Sequence, residues 1–268
     1  MKEVRYAIAC GTRSGSSALR RYLNHDPRIL CLHEWGIFKT LNKPVASVVG
    51  KLQGAVNPKD VQDYAFQHKG MDLKKLREVL TPGWTGEQAL HTLQSCGPHF
   101  QAIGDKQIGY VPMIPKLARK IKVIVHVRDG RAVLSSQVRW GRRRAKLGRP
   151  LGWQMGTTPE AVQHIWPDIC EAQITGMDQA RKEGNAHNIL FVRHEDILSD
   201  LAKWTERIQV FLGLSPQPVD ESAPFPEEAG KLYKYQLIRE DTWKHEMPSL
   251  MNVLTPRFKN CLRYFGYI

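Results

Sequence analysis

The chain of 268 residues has no apolar stretch of membrane-spanning length, and Met1–Arg5 leads straight into a first strand with nothing resembling a signal peptide. A spanning helix is excluded, no membrane partner is expected, and a cytoplasmic protein, or a soluble piece cut from something larger, is the expectation. No CxxC pair occurs: the five cysteines, Cys10, Cys31, Cys96, Cys170 and Cys261, are odd in number and scattered. Cys10 and Cys31 fall in strand-like segments and read as small buried hydrophobes. The ten histidines form no HExxH, and the His-Glu pairs at 33–34, 194–195 and 245–246 lack a second histidine four residues on, so no metal site is expected. There is no internal repeat, low-complexity tract or convincing domain boundary, and a single domain over 1–268 is expected; at this length an α/β core needs no disulfides.

The chain is also short of acid. Asp and Glu number 26 against 39 Lys and Arg, a net charge of +13, which favours anionic partners. The densest run, Arg139–Arg149, holds six basic residues and one Trp in eleven positions. It reads as a solvated, mobile loop or, functionally, as an electrostatic rim or lid for an anionic acceptor. A nucleic-acid partner is disfavoured, because only Trp140 and Trp153 supply aromatics nearby.

What is present is an alternation of strands and helices. Val4–Cys10, Ile29–Leu32, Ala102–Gly104, Lys122–Val127 and Asn188–Val192 read as strands, with helices beginning near Ser14, Pro112, Arg131, Pro159 and Leu198. This is the pattern of a parallel sheet of about five strands between helical layers. The helix from Pro159 is expected to run to Glu183, Leu73–Leu80 reads as a short helix, and Ser215–Pro226 as a proline-rich loop.

Between the first strand and the first helix stands GTRSGSSAL, residues 11–19. A tight turn of small residues leaves backbone N–H groups aimed outward at the positive end of a helix, a place for phosphate or sulfate. Arg13 adds a fixed charge, and Ser14, Ser16 and Ser17 add hydroxyls around Gly15. The Walker A pattern needs lysine after its second glycine; Ser16 stands there, which disfavours a P-loop kinase. A second anchor lies in KVIVHVRDGRAVLSS, residues 122–136. A β-branched run buried on both faces ends at Arg128, where open α/β sheets bind ligands, and Ser136 follows within the next helix. An Arg fork and a Ser hydroxyl can converge on one phosphate. Together the anchors imply a ligand with two anionic ends.

The pair resembles the sulfotransferases that use 3′-phosphoadenosine-5′-phosphosulfate (PAPS), and the resemblance extends through IGDK at 103–106, VRDGRA at 127–132, VRHED at 192–196 and the C-terminal WKHEMPSLMNVLTPRFKNCLRYFGYI. Arg13 and HDPRILCLHE at 25–34 are nearer the tyrosylprotein-type and bacterial branches than the phenol and steroid branch, which usually has lysine at the position of Arg13. The resemblance implies a three-layer, P-loop NTPase-like α/β fold. It implies PAPS as donor, adenosine 3′,5′-bisphosphate (PAP) as product and no required metal. The turn, Arg13 to Ser17, would grip the 5′-phosphosulfate, and Arg128 with Ser136 the 3′-phosphate. Arg13 would stabilise the transferring group. Glu34, 21 positions after Arg13, matches the glutamate base of the tyrosylprotein-like branch. His33 is a second candidate base. Lys106 resembles a lysine that assists transfer, with a structural ion pair to Asp105 or another acid as the plain alternative. His194 stands where relatives often place a nucleotide-contacting tyrosine.

The expected reaction is sulfuryl transfer to a hydroxyl or amine of a small polar molecule or sugar. A peptide tyrosine is an alternative acceptor, and a basic nucleic-acid or polyanion binder is the alternative from another class. Residues 35–100 and 137–170 are expected to shape the acceptor pocket, with Trp35, Trp84, Trp140, Trp153 and Trp166 as candidate aromatic walls.

Overall fold

The computed structural model describes residues 3–39, 70–72, 75, 85–97, 99–219, 225–227, 231–233 and 242–268. The short helix expected at Leu73–Leu80 (apart from Lys75), Trp84 and residues 220–224 of the expected proline-rich loop lie outside the described residues.

Five strands, β1 (Val4–Cys10), β2 (Ile29–His33), β3 (Ala102–Gln107), β4 (Lys122–Val127) and β5 (Ile189–Arg193), form one sheet in the order β2-β3-β1-β4-β5. Every pairing in it is parallel. The helices are α1 (Ser16–Leu23), α2 (Gly86–Cys96), α3 (Ile114–Ala118), α4 (Gly130–Lys146), α5 (Pro159–Val162), α6 (Ile165–Lys182), α7 (His194–Ser199), α8 (Leu201–Phe211), α9 (Thr242–Glu246), α10 (Leu250–Val253) and α11 (Pro256–Tyr264). A separate antiparallel pair joins Phe225–Glu227 to Lys231–Tyr233. Among the described residues no helix is long and apolar enough to cross a membrane, and no group of three or more metal-ligating side chains gathers.

The period-2 alternation of β1 builds the layers. Ala7 and Ala9 face a core shared with α3, α4, α6 and α11, while Tyr6, Ile8 and Cys10 face Leu19 and Leu23 of α1 and Trp204 and Ile208 of α8. Small alanines on the first face admit Gln173, whose Nε2 donates to the backbone oxygens of His126 at 3.2 Å and Ala9 at 3.4 Å. The chain leaves β1 toward β2 and β3 on one side and later places β4 and β5 on the other. The sheet therefore reverses direction at β1, and a crevice opens beyond the carboxyl ends of its strands. Arg13, Glu34, Arg128 and His194 all follow those ends within three residues.

Several elements differ from expectation. The first helix starts at Ser16, capped by Gly15 at φ +83°, while the Ser14 hydroxyl donates to the Gly11 carbonyl at 2.8 Å. The helix expected from Pro159 to Glu183 is two: Pro159–Val162 and Ile165–Lys182, the second with Pro167 in its first turn. Where one helix start is expected near Leu198, two helices stand, His194–Ser199 and Leu201–Phe211. Helix α4 runs unbroken to Lys146, so most of the basic run is helix rather than loop.

Candidate active site

The turn between β1 and α1 holds a residue in strained backbone. Among the described residues only two non-glycine residues have positive φ, Arg13 at 58° and Glu34 at 59°. Left-handed backbone costs an arginine or glutamate on the order of 1 kcal/mol or more, and such strain collects at working sites. Gly15 tolerates its φ of +83° as no other residue does, and a Cβ there would come within 2.4 Å of the His194 ring. Helix α1 has neither a side-chain cap nor an acidic residue in its first turn, so its first N–H groups and positive dipole end face the crevice.

Positive charge gathers over this turn. The Arg13 Nε donates to Ser136 Oγ at 3.0 Å, and its guanidinium lies 4.6 Å from the Trp140 ring centre. Ser136 and Trp140 are one helical turn apart on α4, which is why one face presents both. Arg128 donates from Nη1 to the Arg13 carbonyl in a long contact of 3.5 Å and is only 5% exposed. Partial burial, then the charges of Arg139 and Arg128, lower the pKa of Arg13 from its ordinary value. Beyond burial, the two neighbouring arginines add positive charge around Arg13, which an anion bound there would offset. Burial and the Arg128 charge push His194 down to about 3, so its imidazole is neutral, and its buried Nδ1 has no hydrogen-bond partner among the described residues.

On the other side of β1, Glu34 closes the end of β2. Its N–H donates to the Lys106 carbonyl at 2.8 Å, and Lys106 Nζ donates to Glu34 Oε1 at 2.7 Å. The Lys106 side chain is 4% exposed and that of Glu34 41%, so the pair bridges core and crevice. Lys106 thus pairs with Glu34, not Asp105. Asp105 is fully buried and accepts from the Gly36 N–H at 2.6 Å, the Tyr110 hydroxyl at 2.6 Å and the Trp35 N–H at 3.1 Å. Burial raises the Asp105 carboxyl, and those donors offset part of the rise. The carboxylate pins the chain just after Glu34. Cys10 links the two halves: its thiol, pushed up by burial, contacts the Ser16 hydroxyl and feels the charges of Lys106 and Glu34.

The Arg128 strand end is held from behind by the C-terminus. The Asp129 N–H donates to Glu195 Oε1 at 2.8 Å, and the Tyr267 hydroxyl donates to Glu195 Oε2 at 2.7 Å. Arg131 pairs with Asp129 at 2.7 Å and donates to the Tyr267 carbonyl at 3.1 Å. Trp166 Nε1 donates to the Arg128 carbonyl at 3.2 Å. Burial raises both Glu195 and Tyr267. Tyr267→Phe leaves that buried carboxylate short of one donor, so a loss of about 1–3 kcal/mol in unfolding free energy is expected by denaturant titration. An unchanged value would show that the tail does not support the strand end.

The structure brings Arg13, Gly15, Arg128, Ser136 and His194 into one cluster and Glu34 with Lys106 into another, joined through Ser16 and Cys10. Ser14 is spent on Gly11. Ser17, at the second position of α1, and His33, opposite Lys106 in the strand register, lie at the same sheet edge. Of the candidate aromatic walls, Trp35 and Trp166 are core residues, at 1% and 3% exposure, because Asp105 holds the N–H of the first and the second packs tilted against Phe258. Trp140 stacks on Arg13, and Trp153 stands 69% exposed. Sequence reasoning missed Arg139, the Asp105 clamp and the Glu195–Tyr267 support. Glu195 of VRHED and Asp105 of IGDK were visible, but Asp129 and Tyr267, which hold the first, and Trp35, which the second holds, lie 66 to 72 positions away.

A three-layer parallel α/β domain with a glycine turn and clustered arginines at its switch point defines a P-loop-like protein that handles anionic groups. The chain matches the profile described as the sulfotransferase family over residues 7–218 and belongs to that family. Its chemistry is sulfuryl transfer. Two solved structures resemble it along its whole length. The sulfotransferase domain from the curacin biosynthetic pathway is 16% identical with a TM-score of 0.64, covering 100% of this chain and 99% of that one. The sulfotransferase domain of the Synechococcus PCC 7002 olefin synthase is 18% identical with a TM-score of 0.62, covering 100% and 95%. At such identities the likeness establishes the P-loop NTPase-like fold. No curated protein sequence matches the chain.

Proposed function

We propose that this chain, folded as one domain over 1–268, transfers the sulfuryl group of PAPS to a hydroxyl or amine of a small polar molecule or sugar, with Glu34 as base. The observation that carries the reading is the convergence of Arg13, Arg128 and Ser136 on the glycine turn at the carboxyl ends of β1 and β4. The residues fit such a donor: a helix end without acid, an Arg13 guanidinium crowded by Arg128 and Arg139, and a buried imidazole nitrogen with no hydrogen-bond partner among the described residues. PAPS supplies a sulfuryl group on a phosphate leaving group, and its transfer, like loose phosphoryl transfer, asks the protein for positioning and charge stabilisation.

Each residue then has one task. The turn from Arg13 to Ser17 holds the phosphosulfate end through backbone N–H groups and hydroxyls. Arg13, held on Ser136 and Trp140, moves its charge onto the transferring oxygens and stabilises the leaving phosphate. Arg128 and Ser136 bind the 3′-phosphate, and His194, neutral, donates or accepts a hydrogen bond on the nucleotide. Glu34 takes the acceptor's proton as the new S–O or S–N bond forms and the S–O bond to the leaving phosphate breaks. Lys106 orients that carboxylate from the core.

Two variants test the donor site. Arg128→Ala is expected to weaken PAP by at least about tenfold, since hydrogen bonds to charged groups contribute roughly 1.5–3 kcal/mol, while adenosine 5′-phosphate is nearly unaffected. Equal losses for both ligands in calorimetry would remove the 3′-phosphate assignment. Gly15→Ala forces a Cβ into the His194 ring at a left-handed position, and PAP binding is expected to be lost even where the protein stays folded. Native affinity in that variant would contradict the turn as cradle.

A peptide tyrosine remains the second acceptor reading, favoured by the 21-position spacing of Arg13 and Glu34, which resembles that of the tyrosylprotein-like branch. Radiolabelled sulfate transfer from PAPS to a panel of sugars, small alcohols, amines and tyrosine peptides separates the two. Polyanion binding without PAP binding would support the non-enzymatic alternative.

A further inference from the structure

Beyond the active site, helix α4 ends in a projecting cationic tip. From Gly130 to Pro159 the sequence carries seven Lys or Arg and no Asp or Glu. Arg139, Arg142, Arg143 and Lys146 recur at helical spacing along one side of α4. No carboxylate among the described residues pairs with Arg142, Arg143, Arg144, Lys146 or Arg149. Residues 145–153 are exposed without interruption. Within them stand Leu147 at 56%, Leu151 at 44% and Trp153 at 69%, three of the seven large hydrophobics exposed among the described residues.

The tip is shaped rather than slack. Gly148 takes φ +61° at the helix end, and its N–H returns to Ala145 while that of Arg149 returns to Arg144, each at 3.0 Å. Arg144 Nε donates to the Pro150 carbonyl at 2.9 Å and Arg142 Nε to the Thr157 carbonyl at 2.8 Å. Large apolar side chains are thus held outward in water, ringed by arginines.

We propose that this tip docks the protein peripherally onto an anionic phospholipid surface. Leu147, Leu151 and Trp153 would enter the headgroup–acyl boundary, and Arg143, Lys146 and Arg149 would lie among the lipid phosphates. Arginine and lysine stems can bury while their heads stay at the phosphates, and tryptophan favours this boundary. A nucleic acid would satisfy the charge but leave two leucines in water. An acidic protein would need a surface shaped to a convex tip, whereas a bilayer accepts it without shape matching. The docked tip lies close to the active site, since Leu147 is eleven residues along α4 from Ser136, roughly 16 Å. Docking does not depend on which acceptor is sulfated.

The test is co-sedimentation of the full chain with vesicles of equal parts phosphatidylglycerol and phosphatidylcholine, against phosphatidylcholine alone. Binding is expected to the first and not the second, and to weaken with salt. Arg143→Gln, Lys146→Gln and Arg149→Gln combined are expected to cut partitioning on the order of a hundredfold. Leu147→Ser, Leu151→Ser and Trp153→Ser combined are expected to cut it by at least about tenfold. Trp153→Phe keeps most of the binding but removes the blue shift of fluorescence that vesicles induce in the native chain. All these positions are exposed, so melting temperatures should match the native protein. Absence of sedimentation with the anionic vesicles overturns the proposal. So does native-like sedimentation of the apolar variant, which would identify the tip as a purely electrostatic surface for an acidic protein or nucleic acid.

Discussion

Replacing Arg13 with glycine is expected to lower turnover by about 10²–10³-fold or more while leaving the protein as stable as before, or slightly more stable. The two halves of that result have separate causes. Arg13 sits at φ 58°, a conformation glycine adopts without penalty, so removing the side chain also removes backbone strain. What is lost is a guanidinium held against Ser136 and Trp140, beside Arg128 and Arg139. If Arg13 were there for the fold, the variant would melt lower and turn over normally. Steady-state rates with labelled PAPS and a thermal melt decide between these, and turnover within about tenfold of native would sink the role of Arg13.

Glu34→Gln is expected to lower kcat by roughly 10²–10⁴-fold with PAP affinity unchanged within about twofold. Glutamine keeps the shape of the side chain, and its carbonyl oxygen still accepts from Lys106 Nζ, so the Glu34–Lys106 geometry survives and only basicity goes. Glu34 is pinned through its own N–H to the Lys106 carbonyl, and the next two N–H groups are held by the buried Asp105. A surface glutamate would not need such an anchorage, nor the left-handed backbone that aims it. Turnover that survives in Glu34→Gln but is lost in His33→Ala would transfer the base to the histidine.

The strands that read most clearly were those whose burial is written in apolar residues. Val4–Cys10 and Lys122–Val127 end in the structure where the residues stop being apolar. The third strand runs three residues beyond its sequence reading, because Asp105 and Lys106 look like a turn until Trp35, Gly36 and Glu34, about 70 positions away, and the nearby Tyr110 are seen to satisfy them. The basic run at 139–149 suggests, by its charge, a solvated loop or an electrostatic rim. It is mostly helix because the opposite face of α4, including Val133, Leu134 and Val138, is buried in the core.

The candidate site was legible where local chemistry declares itself. A glycine-serine turn after a strand and an arginine at a strand end both announce anion binding from the sequence alone. The left-handed backbone of Arg13 and Glu34 was not legible, since neither residue type signals it. The direct bond between Arg13 and Ser136 spans 123 positions, and the Tyr267–Glu195 support spans 72. Both arise from the sheet order, which brings β4 beside β1 and the C-terminus behind β5.

The central claim is that the turn at 11–17 and the Arg128 strand end act together on one nucleotide with two anionic ends. Calorimetric titration of the protein with PAP, against ADP as control, tests it most directly. Tight binding that needs the 3′-phosphate is the expected result. Equal affinity for PAP and ADP, or no binding of either, would contradict it.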